Sequence, residues 1–335
     1  MTRRAVLLAN LGSPDNAEPP AVRQYLNQFL MDPYVIQLPW IFRRLIVSLF
    51  VLPSRPKDSS KAYQKVWLKE GSPLLVLSKK LKQALQAKLT IPVAMAMRYG
   101  NPSIESELLK LKEQNIDEVL FIPLYPHFAD STVTTSIEEA KRVIQKYQLN
   151  IKLSLIPPFY DNDDYIQSLV NSAQAYLSQD YDHIVFSYHG LPESHLKKLD
   201  TSGSHCLQQE DCCEQSHECH ARCYRQQVFK TTQCFADKAG LAKQDYSIAF
   251  QSRLGRAKWL GPNTEDKIRQ LANSGAKNIL VICPAFVTDC LETLEEMAIR
   301  GQEVFSEAGG EKLTLIPCLN DHPDWVATLA SWCKQ

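Results

Sequence analysis

The sequence predicts an α/β fold with two lobes, each built on a parallel sheet with helices on its faces. Apolar, β-branched runs alternate with helical patterns along the whole chain, which is typical of βαβ units. The chain also contains an internal repeat, because KLSLIPPFYDNDDYI from Lys152 resembles KLTLIPCLNDHPDWV from Lys312. Such self-similarity indicates a duplicated unit. The sequence therefore predicts two Rossmann-like lobes that face each other.

Four strands are predicted in each half of the chain. They cover residues 5–10, 93–97, 119–124 and 153–157 in the first half, and 183–188, 247–252, 278–283 and 313–317 in the second. A chain of 335 residues is long enough for two domains with a full core each. We predict an N-terminal lobe over 1–162, a C-terminal lobe over 163–320 with an insert at 201–223, and a C-terminal helix over 321–335 that packs on the first lobe.

The charge balance argues against a nucleic-acid partner. Lys and Arg together number 37, as do Asp and Glu, so no net field attracts a polyanion. The N-terminal sequence MTRRAVLLAN has no small-residue cleavage site after its apolar run, which favours a first strand over a signal peptide. Because no apolar run approaches the ~20 residues of a membrane helix, we expect a cytoplasmic protein.

A hydrophobic segment lies between Tyr34 and Leu52. It contains YVIQLPWIF, the pair Arg43-Arg44 and the apolar run that starts at Leu45. Two interpretations stay open at this stage. The segment is an ordinary core helix, or it is an exposed, arginine-edged lip that touches lipid or admits a greasy ligand.

The stretch FSYHGLP, from Phe186 to Pro192, is the first candidate for function. It follows the apolar run HIVF, and its Gly-Leu-Pro must turn the chain sharply. His189 is thereby placed at the carboxyl end of a strand, where open α/β sheets bind ligands. Polar residues follow other predicted strands too, at 10–14, 98–102, 125–128, 251–255 and 284–289. Two lobes that present these edges to each other predict a small-molecule cleft, although a lone His is also typical of a hydrogen-bonded core.

The stretch TDCLETLEEMA supplies the second candidate. If a helix starts near Thr288, then Asp289, Glu292 and Glu296 lie at i, i+3 and i+7 on one face. Such a row is also typical of a solvated helix N-terminus, where the dipole favours negative charge. At the cleft edge, the carboxylates and a histidine could instead hold a divalent cation or pass protons.

Aromatic and basic residues complete a binding site for a planar ligand with carboxylates. Trp259, Phe286 and Tyr63 could stack on its rings, although each alone is more often core. Arg55, Arg98 and Ser72 could bind its carboxylates. Neither a G-x-G-x-x-G nor a G-x-x-x-x-G-K-[ST] motif occurs, so we expect a reaction without ATP or NAD.

Five of the ten cysteines crowd one short segment, C-x5-CC-x5-C-x3-C, from Cys206 to Cys223. Without a secretory signal, metal or cluster ligation is favoured over a disulfide framework. The spacing is neither a C-x2-C zinc pair nor a ferredoxin run.

Several motifs in order along the chain resemble one known family. They are LLANLGSP, the series Arg55, Tyr63 and Ser72, MRYGNP, YPHFADSTVTTS, SYHGLP, FQSRLGRAKWLGPNT and PAFVTDCLETLEEMA. Together they resemble a ferrochelatase of the Gram-negative bacterial type. The resemblance implies insertion of Fe(II) into protoporphyrin IX, the last step of protohaem synthesis, with no cofactor required for the chemistry. It also implies peripheral contact with the inner membrane and contact with the enzyme of the preceding step.

The resemblance assigns residue roles on the matching positions. It gives metal binding and pyrrole deprotonation to His189 and Glu292, and it makes Asp289 and Glu296 an extension of the acidic row. The porphyrin pocket would be lined by Arg55, Tyr63, Ser72, Arg98, Trp259 and Phe286. Cys290 receives no role, because some relatives have a histidine there.

The cysteine-rich insert is similar to that of family members that hold a 2Fe–2S cluster. That pattern implies ligation by Cys206, Cys212, Cys213 and Cys223, with Cys219 as the spare thiol. The alternatives are a zinc site that uses His205, His217 or His220, and free thiols. For the function, the alternatives are a chelatase for coproporphyrin or sirohydrochlorin and a non-enzymatic haem- or iron-binding module.

Overall fold

The structure, a computed structural model, describes residues 3–253, 255 and 257–334. These residues form two compact units. Unit 1 takes its described residues from 1–125, 130–158 and 326–335, and unit 2 takes them from 126–129 and 159–325. Within unit 1, the chain termini meet where the Arg4 guanidinium donates to the Cys333 carbonyl oxygen at 3.4 Å.

Unit 1 contains a four-stranded sheet with helices. Its strands are β1 (Arg4–Gly12), β2 (Val93–Tyr99), β3 (Glu118–Pro123) and β4 (Lys152–Leu155). Its helices are α1 (Pro19–Leu30), α2 (Trp40–Ile46), α3 (Arg55–Val66), α4 (Pro73–Gln86), α5 (Ile104–Glu113) and α6 (Thr135–Lys146), with π-helical turns at Val47–Val51 and Asp130–Thr134. All strands are parallel, in the order β2-β1-β3-β4.

Unit 2 repeats this arrangement. Its strands are β5 (His183–His189), β6 (Tyr246–Gln251), β7 (Asn278–Ile282) and β8 (Lys312–Leu315). Its helices are α7 (Asp163–Leu177), α8 (Glu193–Leu199), α9 (Tyr224–Ala239), α10 (Thr264–Asn273), α11 (Leu291–Thr293) and α12 (Gln302–Glu307), with a π-helix at Leu294–Gly301 and 3₁₀ turns at Glu218–Arg222 and Lys243–Asp245. The last helix, α13 (Pro323–Cys333), begins in unit 2 and enters unit 1 at Val326.

The two sheets have the same topology. The order β6-β5-β7-β8 in unit 2 corresponds strand for strand to β2-β1-β3-β4 in unit 1. The two similar sequence segments form the corresponding last strands, β4 and β8. The predicted class, two parallel sheets flanked by helices, is therefore confirmed.

The central strands are buried over most of their length because helices cover both faces of a parallel sheet. In β1, the residues from Ala5 to Ala9 are fully buried, which explains a continuous apolar run with no alternation. Each unit has a core of its own, around Leu7 and Phe121 in unit 1 and around Val185 and Phe305 in unit 2.

The hydrophobic segment of unit 1 is part core and part surface. Val47 and Leu52 pack with Leu30 in a small buried cluster. A set of large apolar side chains on the same segment is 42–75% exposed: Leu38, Trp40, Ile41, Phe42, Leu45, Leu49 and Phe50. We call this set the apolar lip. Among the described helices, none is both long and apolar enough to cross a membrane.

The sequence predicts that both arginines of this segment border the lip at the surface, and for one of them this prediction is wrong. Arg43 is only 6% exposed, and its guanidinium donates to the carbonyl oxygens of Ile36 at 3.3 Å and Leu38 at 2.9 Å. These carbonyls lie in a segment without regular structure, so they need a donor. Arg44 stays exposed and donates to the Asn27 side chain at 2.8 Å.

Candidate active site and cysteine cluster

His189 ends strand β5 of unit 2, as the sequence predicts. The chain then turns at Gly190, whose N–H donates to the Gln251 carbonyl oxygen at 2.7 Å. A Cβ at position 190 would lie 3.0 Å from that oxygen and 3.1 Å from the Ser252 carbonyl oxygen. Only glycine fits without displacing the backbone at the end of β6, so the turn places His189 beside the end of β6.

The imidazole of His189 has a defined tautomer. Its Nδ1 lies 2.6 Å from the Gly190 carbonyl oxygen, which accepts hydrogen bonds and cannot donate them. Nδ1 therefore carries the proton, and Nε2 keeps its lone pair. The ring lies edge-on to Phe286, with 6.4 Å between centroids. Nε2 is thus the atom that can bind a metal ion or accept a proton.

The helix of the acidic row differs from the prediction. It begins at Leu291 rather than near Thr288, and from Leu294 to Gly301 it is a π-helix. A π-helix bonds residue i to i+5, so a spacing derived from 3.6 residues per turn does not apply to it. The expected single row over three carboxylates is therefore wrong.

Asp289 is separated from the other two acidic residues by its hydrogen bonds. It is 4% exposed, and its Oδ1 accepts from the Thr293 hydroxyl at 2.9 Å. Its Oδ2 accepts from the Asn320 amide at 2.8 Å and from the Cys318 N–H at 3.2 Å. A buried carboxylate with this many donors holds the local fold together. A role for Asp289 in the chemistry stays a prediction.

Glu292 and Glu296 are both tied to the end of β6. The Gln251 side-chain amide donates to the Glu292 carbonyl oxygen at 2.7 Å. The Ser252 hydroxyl donates to Glu296 Oε2 at 2.5 Å, and Arg300 lies 3.3 Å from Glu296 Oε1. Because Gln251 and Ser252 also face Gly190, this strand end holds the turn after His189, the Glu292 backbone and the Glu296 side chain.

Gln251 and Ser252 belong to the polar stretch 251–255 that the sequence predicts at the cleft edge, but neither was assigned a role. Ser252 has φ +59°, in the left-handed region that few non-glycine residues occupy, and such strain is common at functional sites. The signal was present in the sequence as polar residues directly after an apolar strand, in SIAFQS. What the sequence could not show is that these residues contact a helix that starts forty positions later.

The two aromatic residues predicted in unit 2 flank this site. Trp259 pairs with Pro192 in an antiparallel bridge, and its ring would lie 3.3 Å from a Cβ at position 190. Phe286 is partly buried against the core of unit 2 and faces His189. Their contact with a porphyrin stays a prediction.

Four of the predicted porphyrin-binding residues lie in unit 1. Arg98 donates to Asp32 Oδ2 at 2.5 Å and to the Thr135 hydroxyl at 2.8 Å. Ser72 caps α4 by accepting from the Leu75 N–H at 3.3 Å. Tyr63 is buried, and Arg55 is exposed at the start of α3. If Arg98 and Ser72 bind ligand carboxylates, they must do so with side chains that already form hydrogen bonds within the fold.

The cysteines of the insert converge around Cys206. Its Sγ lies 3.4 Å from that of Cys219 and 3.8 Å from that of Cys223. The Arg225 guanidinium lies 3.2 Å from Cys213 Sγ and 3.6 Å from Cys212 Sγ. All ten cysteines are free thiols. The sulfur of Cys219, which was predicted as the spare thiol, is therefore closer to that of Cys206 than the sulfur of the predicted ligand Cys223 is.

Among the cysteines of the insert, the surroundings of Cys223 favour its thiolate form. A hydrogen bond from Cys213 lowers the pKa of Cys223 to about 6, and the Gln226 N–H contributes in the same direction. Burial is the main cause that raises the pKa of Cys206. Since thiolate is the form that binds metal, Cys223 is the ligand that this environment prepares best.

Three histidines surround the cysteines. The Nε2 atoms of His205 and His220 lie 2.7 Å and 2.9 Å from the Cys212 carbonyl oxygen, so each Nε2 carries its proton. The ligand atoms of His205, Cys219 and His220 nevertheless lie within 4.8 Å of one another. The geometry therefore leaves the zinc alternative open beside the iron–sulfur one.

A protein-family model described as Ferrochelatase matches residues 3–335. The chain belongs to the ferrochelatase family. The ferrochelatase of Ectopseudomonas mendocina strain ymp is 56% identical over 337 residues, which is 100% of this chain and 98% of the relative. That of Azotobacter vinelandii strain DJ is 53% identical, over 100% of this chain and 99% of the relative. The predicted family and the prediction of a metal-chelatase enzyme are confirmed.

Solved structures of chelatases share the ferrochelatase-family fold of this chain. SirB from Bacillus subtilis with Fe³⁺ has a TM-score of 0.56 at 12% identity, over 99% of this chain and 95% of that one. The sirohydrochlorin chelatase SirB of Bacillus subtilis subspecies spizizenii, in complex with cobalt, has a TM-score of 0.55 at 11% identity, over 98% and 93% of the two chains. At such identities the likeness concerns the fold.

Proposed function

We propose that this chain inserts Fe(II) into protoporphyrin IX to form protohaem, with His189 and Glu292 where the metal enters. One observation carries the assignment of residues. The backbone turn after His189 and the helix that bears Glu292 and Glu296 are both fastened to the Gln251–Ser252 end of β6. A proton acceptor and carboxylates on one rigid edge match the needs of metal insertion.

The reaction requires a proton acceptor, because two pyrrole N–H protons must leave as the ferrous substrate enters. His189 Nε2 has its lone pair available, since Nδ1–H is held by the Gly190 carbonyl oxygen. The same nitrogen is a suitable ligand for Fe(II). Because this nitrogen has one lone pair, we propose that it binds the metal first and accepts one pyrrole proton after the metal has moved to the ring, while Glu292 takes the other proton.

The two glutamates supply negative charge on the way to this nitrogen. The Ser252 hydroxyl and the Arg300 guanidinium both hold the Glu296 carboxylate. Glu292 is half-buried and follows Cys290 at the start of the helix. We propose that Glu292 contacts the incoming metal or a pyrrole proton and that Glu296 relays charge behind it.

The aromatic side chains have a separate task. A flat macrocycle hides its nitrogen lone pairs, so a pocket that grips a distorted ring binds the transition state better than the flat substrate. Trp259 and Phe286 are the rings in unit 2 that flank His189. We propose that they press on the porphyrin, while Arg55, Tyr63, Ser72 and Arg98 of unit 1 stay predicted porphyrin contacts.

The substrate is tested with Zn(II), which avoids iron oxidation. Purified protein is mixed with Zn(II) and protoporphyrin IX, coproporphyrin III or sirohydrochlorin, and metallation is followed by absorbance. We expect kcat/KM to be highest for protoporphyrin IX by at least tenfold. Preference for either of the other tetrapyrroles would contradict the proposed substrate.

We also infer that the insert holds a 2Fe–2S cluster on Cys206, Cys212, Cys213 and Cys223, with Cys219 as the spare. The convergence of the thiols and the placement of Arg225 beside Cys212 and Cys213 support this inference. When bound, such a cluster would cross-link the insert and supply one-electron redox chemistry. The residues present suit it, because five buried or half-buried sulfurs lie in one segment.

Visible absorbance tests the cluster and its ligands. Protein purified without oxygen should be brown, Cys206→Ser should lose the visible bands, and Cys219→Ser should keep them. Cys234→Ser, on α9 outside the insert, is the matched control and should not change the spectrum. Colourless protein that contains one zinc would contradict the cluster, and loss of the bands in Cys219→Ser would replace the proposed ligand set.

We propose that the apolar lip contacts the membrane peripherally, on its cytoplasmic side. Trp40, Phe42 and Phe50 are 60–75% exposed, and an apolar patch of this kind is rarely left in water without a partner. Aromatic side chains favour the interface between water and lipid. A contact with the enzyme of the preceding step stays a prediction of the family resemblance.

Co-sedimentation with lipid vesicles tests the lip. Phe42→Ser/Phe50→Ser should reduce binding to phosphatidylethanolamine–phosphatidylglycerol vesicles by at least about tenfold, since two exposed rings that would enter the lipid are lost. The control Leu68→Ser/Leu155→Ser removes two exposed apolar side chains of unit 1 outside the lip. Equal binding of both double variants would rule out the lip as the contact.

A further inference from the structure

The backbone of His189 is held from the cysteine-rich segment. Tyr224 directly follows Cys223, and its hydroxyl donates to the His189 carbonyl oxygen at 2.9 Å. This bond joins two residues that are 35 positions apart and lie in different elements. It fixes the peptide from which the His189 side chain projects.

The Tyr224 side chain is itself held firmly. It is 6% exposed, and its ring meets the edge of His127 with 5.8 Å between centroids. His127 Nε2 donates to the Thr231 hydroxyl at 2.8 Å, and Thr231 donates to the Tyr160 carbonyl oxygen at 2.6 Å. Burial lowers the pKa of His127 to about 3 and raises the pKa of Tyr224 well above its ordinary value. Both side chains are therefore neutral at physiological pH, and the Tyr224 hydroxyl remains a donor.

The start of α9 connects this bond to the cysteines. Cys223 occupies the N-cap position, where its carbonyl oxygen accepts from the Gln227 N–H at 3.1 Å. Its sulfur faces the Gln226 N–H and lies 3.8 Å from the sulfur of Cys206. The first turn of α9 therefore shares its hydrogen bonds with a sulfur that also faces the other thiols. The same turn bears Tyr224.

We propose that Tyr224 is a positioning residue for His189 and that it transmits the state of the cysteine-rich segment to the site of metal entry. The proposal rests on the proposed function, because it assigns His189 to metal binding. When Cys223 is bound to its metal or cluster, the first turn of α9 is fixed and the Tyr224 hydroxyl holds the His189 carbonyl. When that bond is absent, Nε2 loses its alignment and the metal binds more weakly.

Tyr224→Phe tests the positioning role with little change of shape. We expect KM for the metal ion to rise about five- to tenfold, the usual effect of one lost hydrogen bond, with KM for protoporphyrin unchanged. The matched control is Tyr188→Phe, because Tyr188 also packs on His127 but bonds Thr232 rather than His189. Both variants should have the same melting temperature. A metal KM in Tyr224→Phe equal to that of Tyr188→Phe would overturn the positioning role.

A double-mutant cycle tests transmission without the enzymatic assay. Co(II) is titrated anaerobically into the wild type, Cys223→Ala, Tyr224→Phe and the double variant, and the site that is absent from His189→Ala is analysed. We expect the Kd for Co(II) to rise in both single variants. The double variant should bind Co(II) no more weakly than the single variant with the higher Kd. Additive losses would overturn transmission through Tyr224. A wild type without metallation activity would instead contradict the proposed function, whereas an active wild type with a normal Tyr224→Phe contradicts this inference alone.

Discussion

Replacing His189 with alanine should abolish metal insertion while porphyrin still binds. The variant loses the Nε2 lone pair that we assign to metal binding and proton acceptance, and general acid–base groups contribute about 10²–10⁴-fold. We therefore expect kcat to fall by at least 10²-fold. Quenching of protoporphyrin fluorescence should give a Kd within about threefold of the wild type.

His183→Ala is the matched control for that variant. His183 begins the same strand that His189 ends, and its Nε2 bonds the Ser247 hydroxyl at 3.0 Å. The variant loses one imidazole hydrogen bond, as His189→Ala does, but at the opposite end of β5. Turnover should therefore stay near that of the wild type. If His189→Ala turned over at the wild-type rate, the assignment of His189 would be wrong.

The acidic residues should separate into a glutamate that affects turnover and an aspartate that affects stability. Glu292→Gln keeps the shape and the Glu292 carbonyl that Gln251 binds, so its melting temperature should not change. Its kcat should fall by about 10²-fold, since an amide accepts no proton at this position. Steady-state metallation and thermal melting measure the two quantities.

Asp289→Asn is the contrasting change. The amide of asparagine would place a donor against Thr293 on one side, or against Asn320 and Cys318 on the other. An unmade buried hydrogen bond of this kind lowers the free energy of unfolding by about 1–3 kcal/mol. We expect a lower melting temperature with near-normal kcat per folded molecule. A large loss of kcat at unchanged stability in Asp289→Asn would contradict this expectation and would support the predicted role of Asp289 in the chemistry.

The fold was predictable because its signals are local. Each strand is a short apolar run, and the similarity between the segments at Lys152 and Lys312 reports the duplication directly. The position of His189 was predictable for the same reason, because a Gly-Leu-Pro turn follows its strand at once. Family resemblance supplied the roles that composition and spacing do not carry.

The site was less predictable where contacts span long distances in sequence. Asp32 and Arg98 are 66 positions apart, and nothing in MRYGNP indicates that the arginine already has a carboxylate partner. The segment from Leu294 to Gly301 forms a π-helix, but the spacing of its apolar residues does not distinguish it from an α-helix. The Tyr224 bond to His189 depends on how the insert folds, which its unusual cysteine spacing does not show.

The most direct test of the account is anaerobic insertion of Fe(II) into protoporphyrin IX by the wild type and His189→Ala in parallel. Porphyrin binding is measured by fluorescence in the same samples, and protohaem is measured by absorbance. We expect that both proteins bind porphyrin and that only the wild type forms protohaem catalytically. A wild type that binds porphyrin tightly and forms no protohaem would contradict it and would indicate a carrier instead.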